Sequence, residues 1–188
     1  MAFSRGRRGA ILIEPSLQNI KGEQDMNQRI SMKKFNPKVY AAVSTMQQYV
    51  DQCGLEPLLQ ELIKLRASQI NGCAYCLDMH TKDARALGET EQRLFTLSAW
   101  RETPFFSERE RAALAFTEAV TLVSVDHVPD DVYAQAHAQF SDDELVDLAM
   151  AIATINVWNR LAITFRAEPG HYQPTDRVKM RGAAATQK

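Results

Sequence analysis

Residues Glu61–His80 read E-L-I-K-L-R-A-S-Q-I-N-G-C-A-Y-C-L-D-M-H, placing a carboxylate, two cysteines and a histidine in one short stretch. Pro57 opens a helix in which Leu58, Leu59, Leu62, Ile63, Leu65 and Ile70 form a broad apolar face. Asn71-Gly72 breaks it, and a second helix is predicted from about Cys73 to Leu87, with Gly88 as its stop. A helix turns about 100° per residue, so Cys73, Cys76 and His80, at i, i+3 and i+7, share a stripe with Leu77, Ala84 and Leu87. The reactive side chains are therefore expected on the face that packs.

Spacing assigns roles. His80 stands one turn beyond Cys76 and two turns beyond Cys73, so its imidazole serves Cys76 more naturally. If the two helices fold back antiparallel at Asn71-Gly72, Glu61 lies opposite about residue 82, roughly 3 Å along the axis from His80. A carboxylate–imidazole–thiol chain follows: Glu61 orients His80, His80 takes the proton of Cys76 directly or through water, and Cys73 resolves the oxidised sulfur. The helix N-terminus, with its unpaired N–H groups and positive dipole end, favours thiolates at both cysteines and by itself favours Cys73 as the attacking one. The His80 spacing decides for Cys76.

Outward from this stretch the chain is helical and carries no convincing strand. Asn36-Pro37 caps a helix through Val39, Val43, Met46, Val50 and Cys53, ended by Gly54. Thr90 caps a short one through Leu94, Leu97 and Trp100. Ser107-Glu108-Arg109-Glu110 and Ser141-Asp142-Asp143-Glu144 are capping boxes, the first opening a helix through Val123 and the second a long one to about Phe165. A shorter helix is expected within residues 129–139. The expectation is an all-α domain of about seven helices over residues 36–167, after a poorly ordered extension (1–35) and before a flexible tail (168–188).

At 188 residues one core suffices without disulfides. Lys+Arg 22 against Asp+Glu 23 leaves a net charge of -1, so neither nucleic acid nor an anionic membrane is an expected partner. Three cysteines, two of them three residues apart, do not resemble a secreted framework; a reducing, cytoplasmic setting is expected. The apolar run Ala10–Ile13 after Arg5, Arg7 and Arg8 is too short for export, and no run approaches the roughly 18 apolar residues of a membrane span.

Glu61, Cys73, Cys76 and His80, in the pattern E-x11-C-x2-C-x3-H, resemble the core of the AhpD-like alkylhydroperoxidases of the carboxymuconolactone decarboxylase superfamily. Ile155-Asn156-Val157-Trp158-Asn159-Arg160 also resembles a segment common in these proteins. The resemblance covers roughly residues 37–165. It implies an all-α fold forming trimers or hexamers and a dithiol/disulfide cycle that reduces hydroperoxides with electrons from a thiol or lipoyl protein. No cofactor or metal is required. Superfamily decarboxylases lack the cysteine pair, which favours redox chemistry here. Tyr75 stands where the best-known members have a histidine, and the chain before Asn36 has no counterpart in the family.

The alternatives are a disulfide reductase serving a partner peroxidase, and a non-redox lyase or binding protein on the same fold. A structural zinc site would draw on Cys73, Cys76, His80 and either Cys53 or Glu61, but lacks a second ligand pair from a separate segment. Cys53 is read as a core or interface residue, and His127, His137 and His171 as solvated or capping residues. Trp158, Asn159 and Arg160 are read as pocket or subunit-contact residues, with Trp158 otherwise core and Asn159 and Arg160 otherwise satisfying buried carbonyls, and Tyr75 as facing the entrance or a partner.

Overall fold

The computed structural model describes residues 28–31, 34, 36–175 and 178; most of the expected N-terminal extension and the end of the C-terminal tail lie outside them. Among the described residues run eight α-helices: α1 (Pro37–Val50), α2 (Pro57–Asn71), α3 (Ala74–Ala86), α4 (Glu91–Thr96), α5 (Glu108–Thr121), α6 (Val123–Asp126), α7 (Asp130–His137) and α8 (Asp142–Phe165). A 3-10 segment, Leu97–Glu102, follows α4. Seven helices were expected. The difference is local: the fourth relaxes into 3-10 geometry after Thr96, and the fifth stops at Thr121, leaving α6 as a separate turn.

The helix ends follow the chemistry of their caps. Both predicted capping boxes are made in full, with Ser107 and Glu110 opening α5 and Ser141 and Glu144 opening α8. Asn36 accepts from the Val39 N–H at the start of α1, ahead of Pro37. Gly72 closes α2 at φ 69°, a left-handed cap that costs a residue with a Cβ about 1 kcal/mol or more. That cap turns the chain directly into α3.

α2 is the central helix. It packs against α3, α5 and α8 and contributes to all three buried apolar groups. Leu59 and Ile63 meet Phe116, Leu148 and Ile152 from α5 and α8; Leu62 and Leu65 meet Leu97, Trp100 and Leu114; Ala67 meets Cys73, Cys76 and Ile155. A helix covered on every side should be apolar all round, yet α2 also buries Gln60, Glu61, Lys64 and Ser68. Burying such groups costs free energy unless each finds a partner, so their partners mark the place where packing yields to chemistry.

α8, 24 residues long with an 18-residue window of mean hydropathy 1.3, is long and apolar enough to cross a bilayer by length and composition. Its interior face carries Leu145, Leu148, Ile152 and Ile155 together with the buried, hydrogen-bonded Asn156 and Asn159. It is the second core helix of the bundle.

Candidate active site

The turn at Asn71-Gly72 brings α3 back along α2, as the antiparallel reading requires. His80 Nδ1 lies 2.8 Å from Glu61 Oε2, and Lys64 Nζ donates to Glu61 Oε1 at 2.8 Å. All three side chains are buried. An ionised carboxylate only accepts, so Nδ1 donates in that bond, and Nε2 is the ring nitrogen left to face another partner. Nε2 is buried and has no hydrogen-bond partner among the described residues. Burial alone pushes the Glu61 carboxyl up, but Lys64 and His80 outweigh it and hold it at about 2. Glu61 is therefore a permanent anion between an ammonium and an imidazole.

Cys73, where the helix was expected to begin, is the N-cap of α3. The left-handed turn at Gly72 leaves Cys73 extended, and its Sγ accepts the Cys76 N–H at 3.4 Å. Cys73 and Cys76 are both 1% exposed and both are free thiols. Hydrogen bonding from the Cys76 side chain lowers Cys73 first, against the penalty of burial, and the Cys76 N–H, Asn159 and the Tyr75 N–H add to it, bringing Cys73 to about 7. Cys76 moves the other way, raised by its bond to Cys73, by burial and by the Cys73 charge. The pair therefore favours the thiolate at Cys73 and the thiol at Cys76.

A cavity of about 850 Å³ opens over this cluster. Its wall includes Glu61, His80, Cys76 and Tyr75, with Trp158 and Tyr172 among the aromatic side chains. Cys73 is not part of that wall. No hydrogen bond joins His80 to Cys76, although both face the same space. The Tyr75 ring is half-buried at the cavity, in keeping with its expected place at the entrance.

The C-terminal segment, expected as a mobile tail from Glu168, is held against α3 through residue 172. The Gly170 N–H donates to Asp78 Oδ2 at 2.9 Å, and Lys82 Nζ reaches the Tyr172 carbonyl at 3.1 Å. Tyr172 Oη donates to Asp83 Oδ1 at 2.7 Å. Burial raises Asp83 against this bond, and the Glu61 charge adds to the rise. His171, read as solvated or capping, is exposed and lines the cavity. His137 fits its expected capping place, bonded to Asp142 at 3.0 Å on the surface.

The sequence reading missed Lys64, Asp83 and Tyr172. Lys64 was open to inference, since a lysine three residues after Glu61 in a helix apolar all round must be paired. Tyr172 could not be, because nothing local ties it to residue 83. The four-ligand zinc set that includes Cys53 is not brought together: Cys53 packs against the apolar group of Leu55 and Leu59, whereas Cys73 and Cys76 belong to another. The metal-ligating side chains that converge among the described residues are Glu61, His80 and Asp83, within 4.8 Å of one another, and Lys64 already supplies a cation to Glu61 there.

A helical bundle with a cysteine pair, histidine and glutamate around one cavity belongs to a recognisable class, and the chain is a member of the carboxymuconolactone decarboxylase family, whose sequence model matches residues 37–119. YdfG of Bacillus subtilis strain 168 is 44% identical over 138 residues, which is 73% of this chain and 94% of that protein. Among solved structures, ATU0492 of Agrobacterium tumefaciens, a protein of unknown function with a suggested AhpD antioxidant-defence role, is 44% identical with a TM-score of 0.76, over 78% of this chain and all of that one. The debrominase Bmp8 shares the fold at 21% identity and a TM-score of 0.67, covering 83% of this chain and 78% of that one.

Proposed function

We propose that this protein is a thiol-dependent peroxidase that reduces hydroperoxides through Cys76 and Cys73. The observation that carries the reading is the division of the pair: Cys76 shares the cavity wall with His80, while Cys73 lies behind it as the helix cap. His80 Nε2, kept free for a proton by the bond from Nδ1 to Glu61, takes the Cys76 proton through water. The Cys76 thiolate attacks the distal peroxide oxygen; the O–O bond breaks and the protonated imidazole returns its proton to the departing oxygen, giving Cys76 sulfenic acid and an alcohol or water. The Cys73 thiolate then displaces hydroxide from the sulfenic acid, forming the disulfide, and the hydroxide leaves as water after taking up a proton. A dithiol donor, a thiol protein or lipoyl group, restores both thiols and is itself oxidised to a disulfide. The chemistry suits a reducing cytoplasmic setting, and the homologue with a suggested antioxidant-defence role supports it.

The capping position of Cys73 favours a second reading. A thiolate at a helix N-terminus, lowered to about 7, suits attack on a partner's disulfide, which would make the protein a disulfide reductase for a partner peroxidase. A fold that also carries a debrominase does not choose between activities, so the site must. Rapid-quench mass spectrometry after one equivalent of peroxide separates them. The peroxidase reading expects sulfenic acid at Cys76 in Cys73→Ser and none at Cys73 in Cys76→Ser. The reverse pattern reassigns the attacking sulfur, and unchanged thiols in the wild type remove peroxide chemistry altogether.

A further inference from the structure

Behind the cysteine pair stands a buried amide network that the peroxidase cycle leaves without a role. Cys73 and Cys76 share their apolar group with Ile155 and Ala162 of α8. Asn159 lies four residues after Ile155 and three before Ala162, so helical periodicity puts it on the stripe that meets the sulfurs. It is wholly inaccessible, at 0% exposure. Its Oδ1 accepts from Asn71 Nδ2 at 2.9 Å, and its Nδ2 donates to Ser68 Oγ at 3.0 Å. Asn71 also donates to Asn156 Oδ1 at 2.9 Å, and Asn156 in turn donates to Thr121 and to the Ile152 carbonyl. The network ties α2, α5 and α8 together and leaves the Asn159 amide one orientation.

A carboxamide has two N–H groups, and Ser68 takes one. We propose that Asn159, its amide locked by Asn71 and Ser68, is a positioning residue that turns its remaining N–H to the cysteine pair and holds it in the thiolate form. The side chain favours the thiolate of both sulfurs, which agrees with this placement. A buried N–H directed at sulfur strengthens as charge develops there, because no water competes for it. The network would thus set how much thiolate the site offers near neutral pH, deepening the proposed redox role of the pair and resting on it.

The test is an ultraviolet thiolate titration of the fully reduced protein in a Cys53→Ser background, with neither peroxide nor donor present. Asn159→Leu keeps nearly the same side-chain volume and removes the N–H without adding a charge; it should raise the lower thiol pKa by about one unit, a tenfold change in the thiolate-to-thiol ratio. Asn71→Ala, at a half-buried position, removes the bond that orients the amide and should move the same pKa in the same direction by less. A solely structural asparagine would lower the melting temperature and leave the titration where it was. Unchanged titration in the folded variants overturns the proposal, and if Asn159→Leu does not fold, Asn71→Ala decides it. A wild type that consumes no peroxide but keeps the Asn159-dependent titration would retire the peroxidase reading alone.

Discussion

Glu61 is where burial and function pull against each other most strongly. A buried glutamate should be driven toward its neutral form; here Lys64 and His80 reverse that and hold it at about 2, against 4.5 for a free side chain. Because the folded value lies below the unfolded one, the stabilising contribution is present above about pH 4.5 and is lost as the pH falls toward 2. That shift corresponds to about 3 kcal/mol. Denaturant midpoints measured down through this range should fall more steeply for the wild type than for Glu61→Gln; equal slopes would mean the carboxylate is not held as the geometry requires. Lys64→Ala leaves the buried carboxylate short of a charge and should destabilise by about 3 kcal/mol in chemical unfolding. Both effects belong to single side chains, and both were half visible in the sequence. Glu61 was singled out by its distance from the cysteines, whereas Lys64 had no signal of its own beyond standing three residues after Glu61.

At the scale of elements, the caps were the most legible feature of the chain. Ser107 and Ser141 sit three residues before Glu110 and Glu144, and both boxes form. Ser107→Ala and Ser141→Ala should each cost about 1 kcal/mol, read as a loss of melting temperature with the cavity unchanged. Gly72→Ala should cost at least as much, since the left-handed cap penalises any Cβ even though the space around it is open. This variant also tests the site: a rotated turn would withdraw the Cys73 sulfur from the Cys76 N–H. The sequence reading put the helix start at about Cys73 without saying on which side of it, and that matters, because an N-cap cysteine has extended backbone and points its sulfur back at the first turn. Periodicity cannot distinguish the last residue outside a helix from the first one inside it.

For the whole molecule, the docked C-terminal segment changes what the cavity is. Residues 168 to 172 would have been dismissed as a tail from their Pro and Gly content, yet Tyr172 closes onto Asp83 beside Glu61 and His80. Truncation after Ala167 should open the cavity and speed alkylation of Cys76 by a neutral reagent several-fold, with the helical content retained; an unchanged rate would show that the segment does not cover the thiol. A second property of this scale lies on the outside. Val146 is 68% exposed on α8, and Val39 of α1 is also in solvent, apolar side chains that the homotrimer or homohexamer implied by the family resemblance would cover. Light scattering should give a mass several times that of one chain, reduced by Val146→Glu if this face is the contact; a monomer at all concentrations would withdraw the assembly.

The sequence alone determined the all-helical class, the caps and the one stretch where chemistry concentrates, because each depends on interactions within a few residues along the chain. The fold-back of α2 on α3 was also within reach, since one glycine turn and two helical periods set the distance from Glu61 to His80. Which sulfur faces the cavity, which charge neutralises Glu61, and which amides and phenol surround the site were decided only by tertiary structure. Lys64 is forced into its role by the burial of α2 on every side, Asn159 by the register of α8 against it, and Tyr172 by a segment that crosses α3 some ninety residues later in the chain. Packing brings these groups together, and no local pattern in the chain encodes that meeting.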